Sequence, residues 1–229
     1  AELAETKSSN KALTDYIKKI HLEAEGLWMD AFRCRIFELL AQGRVKEAAA
    51  TVVVESGRRS AIYKEFFEGW SSRLERLERL YSDFSDSGSK FAGLSLEPDA
   101  KVISISAGVV EYQDSTGAKQ RSWNEISAES ALALYKAKGL KLQFANEAEF
   151  KAAFELLKGN IGMAMKFQPD DKELEAVAHA VFQQGVGFAK AASHADKRRA
   201  ESLLQTLLKE LNGAEDLKAQ LRSEFKDIL

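Results

Sequence analysis

The chain has 229 residues, of which 45% are hydrophobic and 30% charged, and its formal net charge is −2. That composition suits a folded protein with one substantial core or two small ones, excludes disorder throughout, and gives no basic field for nonspecific nucleic-acid binding. The single cysteine, Cys34, excludes an internal disulfide and a cysteine-cluster metal site without fixing the compartment, and no apolar run approaches the roughly 18–20 residues of a membrane-spanning helix. The chain opens at Ala1 with no methionine and no signal-like segment, so it reads as a processed or excised piece.

Residues 1–25 start polar and become helical in pattern, with Leu13, Tyr16, Ile17 and Ile20 as apolar contacts and Gly26 as a break. Leu27, Trp28, Phe32, Ile36, Leu39 and Leu40 then mark an amphipathic helix that Gly43 can end. Val45, Ala48, Ala49, Val52 and Val53 return at helical spacing, which predicts a second helix running back along the first to Gly57. The stretch around which the chain is organised follows. Tyr63, Phe67, Trp70, Leu74, Leu77, Tyr81 and Phe84 recur at steps of four and three, which places them on one face of a helix over residues 59–84. Ile62, Phe66 and Leu80 widen that face, and Glu75 stands four residues before Arg79, the favourable order for a helical ion pair. So much aromatic and leucine surface must be covered by the rest of the chain.

After the loop signal at residues 85–89 the period becomes extended. Lys101–Ser106, Val109–Gln113 and Lys119–Asn124 read as strands, with Phe91, Leu94 and Leu96 adding a fourth before Pro98. Ala107-Gly108 permits a tight reversal and Asp114–Gly117 a longer one, so a small curled sheet or partial barrel is expected, lidded by the central helix and Trp123. Helices resume with Leu132, Leu134 and Tyr135, ending at Gly139; Leu140, Leu142 and Phe144 alternate and suggest a brief strand. Asn146 with Glu149 resembles a capping box ahead of Phe150, Phe154 and Leu157, which Gly159 ends. A short helix over Met163–Phe167 precedes Pro169. Asp170 with Glu173 should cap a helix carrying Leu174, Val177, Val181, Phe182 and Phe188. The last two helices, near Ala195–Leu211 and Ala214–Ile228, are separated by Asn212-Gly213.

The fold class is therefore mainly α (α+β). It divides into an N-terminal helical region at 1–84, a small antiparallel β unit at 85–127 and a C-terminal helical region at 128–229. Chemistry is sparse. His179 follows Glu175 by one turn, but no His-Glu-x-x-His pattern accompanies it, so a helix-surface pair is expected. His21 and His194 read as helix-surface and loop residues, and Cys34, between Arg33 and Arg35, reads as a half-buried structural thiol. Gly185-Val186-Gly187 and Gly159–Gly162 lack the strand-turn-helix setting of a dinucleotide fingerprint and read as packing or turn glycines. Lys197-Arg198-Arg199 and Arg58-Arg59 could touch phosphate, with Tyr112 and Trp123 as the strand aromatics, against nearby Glu111, Asp114 and Glu125. No nucleophile–base or carboxylate pair stands out, and no catalytic, cofactor or metal residue is assigned.

Two segments resemble tetratricopeptide-type hairpins. One is Ala41-Gln42-Gly43-Arg44-Val45 with Ala48 and Val52; the other, within 170–212, has Gly185, Phe188, Ala200, Leu204, Leu207 and Asn212 in the family's order, with a longer turn. The resemblance implies helical packing and, more loosely, protein binding. The order of hairpin, long helix, β unit with a late tryptophan, and further hairpins is similar to accessory regions of large bacterial multidomain proteins, some attached to serine/threonine kinases. Kinase motifs themselves are missing: Asp83-Phe84-Ser85 lacks the required glycine. The expectation is a non-catalytic scaffold or protein-interaction region, soluble and either cytoplasmic or exported, leaning monomeric. The alternative is a nucleic-acid-binding module using the β unit and nearby basic residues.

Overall fold

The computed structural model describes residues 2–59, 61–193 and 196–229, with side chains from residue 13 onward. Helices α1 (Glu2–Ala41) and α2 (Val45–Arg58) form a hairpin, and α3 (Lys64–Ser85) follows a 3-10 turn at Ala61–Tyr63. Strands β1 (Ser95–Glu97), β2 (Ala100–Ser106), β3 (Val109–Asp114) and β4 (Gly117–Ser122) come next. They lead into α4 (Ala128–Ala137), α5 (Glu147–Leu157), α6 (Ile161–Phe167), α7 (Lys172–Ser193), α8 (Lys197–Glu210) and α9 (Glu215–Glu224). The fold is mainly helical with an embedded antiparallel sheet.

The aromatic-leucine face of α3 lies inside its own chain. Phe67, Trp70, Leu74, Leu77, Leu80 and Phe84 are buried, and Tyr63, Phe66 and Tyr81 are half-buried against the same core. Ile62 departs from the expected face at 83% exposure. It belongs to the 3-10 turn, whose period of three rotates it off the helical stripe. At the start of α3 the ring of Phe32 packs 5.5, 5.7 and 6.3 Å from Phe66, Phe67 and Trp70. At its end Phe84 meets Phe91, Tyr135 and Phe154 at 5.5, 5.8 and 5.0 Å. One helix face thus joins the N-terminal hairpin to the sheet and to the C-terminal helices.

The sheet has the order β1-β2-β3-β4 with antiparallel neighbours. Val102, Ile105, Val110 and Tyr112 point into the core, while β4 carries no buried residue. Ala107 and Gly108 both take positive φ (49° and 78°), the mirror-image turn that matches strand twist. The expected partial barrel is not formed: β4 does not pair with β1 and the sheet stays open. Four short strands cannot close on themselves, and helices cover the apolar face instead.

Several local readings change. Gly26 does not interrupt α1, which runs unbroken through it; a glycine inside an exposed helix costs only about 1 kcal/mol relative to alanine. Leu13, Tyr16, Ile17 and Ile20 are exposed rather than packed, as are Val53 and Phe188. Leu140, Leu142 and Phe144 are half-buried against the core but form no strand: side-chain packing, not backbone pairing, accounts for their alternation. The cap of α7 is Asp171, not Asp170: its Oδ1 accepts from Glu173 N at 3.0 Å and Leu174 N at 3.1 Å. The box at α5 does form, with Asn146 Oδ1 accepting from Glu149 N at 2.8 Å. The reciprocal bond comes one residue early, Glu149 Oε2 accepting from Ala145 N at 2.7 Å.

Phe84→Ala removes a fully buried ring from the junction of three aromatic neighbours. The expected cost is about 3–5 kcal/mol, seen as a lower urea midpoint with an unchanged slope.

Candidate functional site

Most charge inside the molecule is spent on its own structure. Glu173, at the start of α7, receives a two-pronged bond from Arg33 of α1 (Nε 2.8 Å, Nη2 3.0 Å) and a third from Trp70 Nε1 of α3 at 3.0 Å. Arg73 donates to Asp171 at 2.6 Å, and Arg76 pairs with Glu149 at 3.2 Å. These last four residues line a cavity of about 30 Å³ between α3, α5 and α7, room for about one water. Its charges are already matched, so it works as a clamp between helices. Asp83 likewise accepts from both Tyr135 and Lys90. Burial, then the bond to Asp83, pushes the Tyr135 phenol well above its ordinary range, so it stays a donor and not an acid–base group.

A different surface lies where α1, α7 and α8 meet. It encloses about 330 Å³, with Cys34, Phe37, Glu38, Ala41 and Gln42 from α1, Val181, Gln184, Gly185 and Phe188 from α7, and Leu203, Thr206, Leu207 and Glu210 from α8. Gly185 helps shape it: a Cβ there would sit 2.7 Å from Leu207 Cδ2, so a larger residue would push the Leu207 side chain aside. Val181, Gln184 and Phe188 follow one another at helical steps along the α7 wall, and Phe188 is 56% exposed. Among the described residues, no lysine or arginine lines this groove. Glu38 makes only a 3.8 Å contact with Arg35, and Glu210 has no cationic partner among the described residues. Burial, and then the nearby Glu38 carboxylate, raises the pKa of Glu210. The groove is lined mainly by apolar side chains with two carboxylates among them, of which Glu38 is weakly paired and Glu210 is not.

The residues singled out from sequence fall mostly outside it. Cys34 lines the groove but is buried, and burial followed by Glu38, Asp30 and Glu210 pushes its thiol up to about 12. The flanking Arg33 and Arg35 do not activate it, since Arg33 is turned to Glu173. His179 and Glu175 are both exposed on α7 and share no hydrogen bond or ion pair. His21 lies 3.4 Å from Glu25 on α1, and His194 lies outside the described residues. Gly162 has no room for a side chain, its Cβ position being 2.5 Å from the Leu211 backbone, and Gly159 is a turn glycine at φ +77°. Lys197, Arg198 and Arg199 are exposed on the first turn of α8, after the capping residue Asp196. Arg59 is stacked 3.9 Å over Trp28, and Arg58 pairs with Glu55 at 3.3 Å. Tyr112 and Trp123 are buried; Arg121 covers the ring of Tyr112 at 4.5 Å and Trp123 packs 5.8 Å from Tyr81. Neither ring faces outward for a base to stack on.

Glu38, Glu210 and Phe188 were not legible as one site, because they come from three helices distant in sequence. The spacing of Val181, Gln184 and Phe188 was the available signal for the α7 wall. No protein family, curated protein or solved structure is matched significantly by the chain.

A carboxyl whose pKa is raised by folding holds its proton more tightly in the native chain than in the unfolded one. It therefore weakens stability at neutral pH, and the penalty disappears as pH falls through the carboxylate range. Glu210→Gln is expected to raise the melting temperature at neutral pH, the difference from wild type shrinking toward about pH 4. In the native protein Cys34 should resist Ellman's reagent at mildly alkaline pH over minutes and react at once in denaturing urea.

Proposed function

We propose that the chain is a non-catalytic protein-interaction region whose α1–α7–α8 groove receives an apolar segment carrying a lysine or arginine. The carrying observation is the chemistry of the groove's lining. Apolar side chains line it beside two carboxylates with no lysine or arginine among its lining residues, whereas Arg33, Arg73 and Arg76 are each paired within the fold. A cation brought within about 4–6 Å of Glu38 and Glu210 turns a desolvation penalty into an attraction realised only on binding. Phe188, Leu203 and Leu207 supply the apolar contact that a helical or extended ligand buries in a groove of this kind. The resemblance of the 170–212 segment to tetratricopeptide-type hairpins supports the same reading, since that family packs helices into protein-binding surfaces.

Selection of random displayed peptides on the immobilised 229-residue chain tests it. Enriched peptides are expected to place lysine or arginine among apolar residues. Glu38→Lys should weaken a selected peptide at least tenfold and Phe188→Ala several-fold, with the circular dichroism spectrum unchanged, both side chains being substantially exposed. Failure to enrich, or peptides indifferent to both substitutions, would refute the assignment.

A further inference from the structure

The outer half of α1 carries an apolar stripe that the rest of the chain leaves bare. Leu13, Ile17, Ile20 and Leu27 are 57, 57, 47 and 73% exposed, and Tyr16 beside them is 62% exposed. With Ala24 they fall at steps of four, three, four and three, the spacing of a coiled-coil seam. We propose that this stripe is the contact between two copies of the chain, which pair through their α1 helices.

Three observations single out a second copy. First, the area suffices: five large side chains exposing roughly 100 Å² each would, in a symmetric pair, remove on the order of 1,000 Å², where biological interfaces begin. Second, the stripe complements itself. In an antiparallel pair centred near residue 22, Ile20 of one copy lies over Ala24 of the other, Leu13 over Ala31, and Ile17 over Leu27. Bulky positions then face small or matching ones, and the two-fold relation repeats each contact. Third, the charge fits a protein partner better than an anionic membrane. Between residues 13 and 27 there are three carboxylates (Asp15, Glu23, Glu25) against two lysines (Lys18, Lys19), whereas an interfacial helix presents a lysine- and arginine-rich polar face.

A free seam of two heptads is short for a coiled coil built from separate peptides. Here the helix is already formed, for α1 is continuous from Glu2 into the core at Phe32 and beyond, so pairing does not bear the cost of nucleation. The pairs Lys19–Glu23 (3.9 Å) and His21–Glu25 (3.4 Å) further support its sides.

Sedimentation velocity of the 229-residue chain over a wide concentration range tests the proposal. The expected result is a monomer–dimer equilibrium whose dissociation constant rises at least tenfold in Ile17→Glu and in Ile20→Glu, with helical circular dichroism retained because both side chains are exposed. Air oxidation of a mixture of Ile20→Cys and Ala24→Cys chains should give a cross-linked dimer in excess of either variant alone. A wild-type chain that stays monomeric throughout overturns the proposal, whether the stripe then sediments with anionic vesicles or with nothing. A dimer that both glutamate variants leave intact overturns it equally.

Discussion

The fold depends on one constraint: the apolar face of α3 is too large for water and too long for any single neighbour to cover. Its N-terminal half is closed by rings from α1, Phe32 and Trp28, the latter 5.6 Å from Tyr63 and 6.1 Å from Phe67. Its C-terminal half is closed by Phe91, Tyr135 and Phe154, which stand on the β unit's entry loop, α4 and α5. Segments far apart in sequence are therefore brought together by hydrophobic burial along one helix, each fully covered anchor contributing roughly 1.5–3 kcal/mol. The polar clamp then fixes the angle. Glu173 takes bonds from α1 and α3 at once, so α7 cannot slide against either without stranding a part-buried charge.

This is why the central face was legible and its surroundings were less so. A stripe at steps of three and four has one structural meaning once most of its members are aromatic or leucine, and tertiary packing cannot easily override it. Helix ends set by local bonds were legible for the same reason: Asn146 with Glu149 needs nothing beyond its own turn. The choice between Asp170 and Asp171 was different. Both precede the same apolar run, and the one that caps is the one whose other oxygen also binds Arg73, a partner that no local pattern announces. Closure of the sheet was illegible for a similar reason: Arg121 of β4 reaches Glu97 of β1 through its side chain while the two backbones stay unpaired, and no strand pattern announces that outcome.

Periodicity also says that a face is apolar without saying what covers it. The pattern at Leu13, Ile17 and Ile20 is of the same kind as that at Leu74, Leu77 and Tyr81, yet the first set is exposed and the second packed. What differs is position. α3 lies between two groups of helices, whereas the outer part of α1 extends from the body before Phe32, the first buried side chain of the helix among the described residues.

The bare stripe and the α7–α8 groove share one strip of that helix. At 100° per residue the stripe of Leu13, Ile20 and Leu27 continues through Ala31 to Cys34 and Glu38, and these last two line the groove against α7 and α8. From Leu13 to Glu38 the strip runs about 40 Å at 1.5 Å per residue. Its character changes along the way, from purely apolar to apolar with carboxylates among it, as soon as the neighbouring helices begin to wall it in.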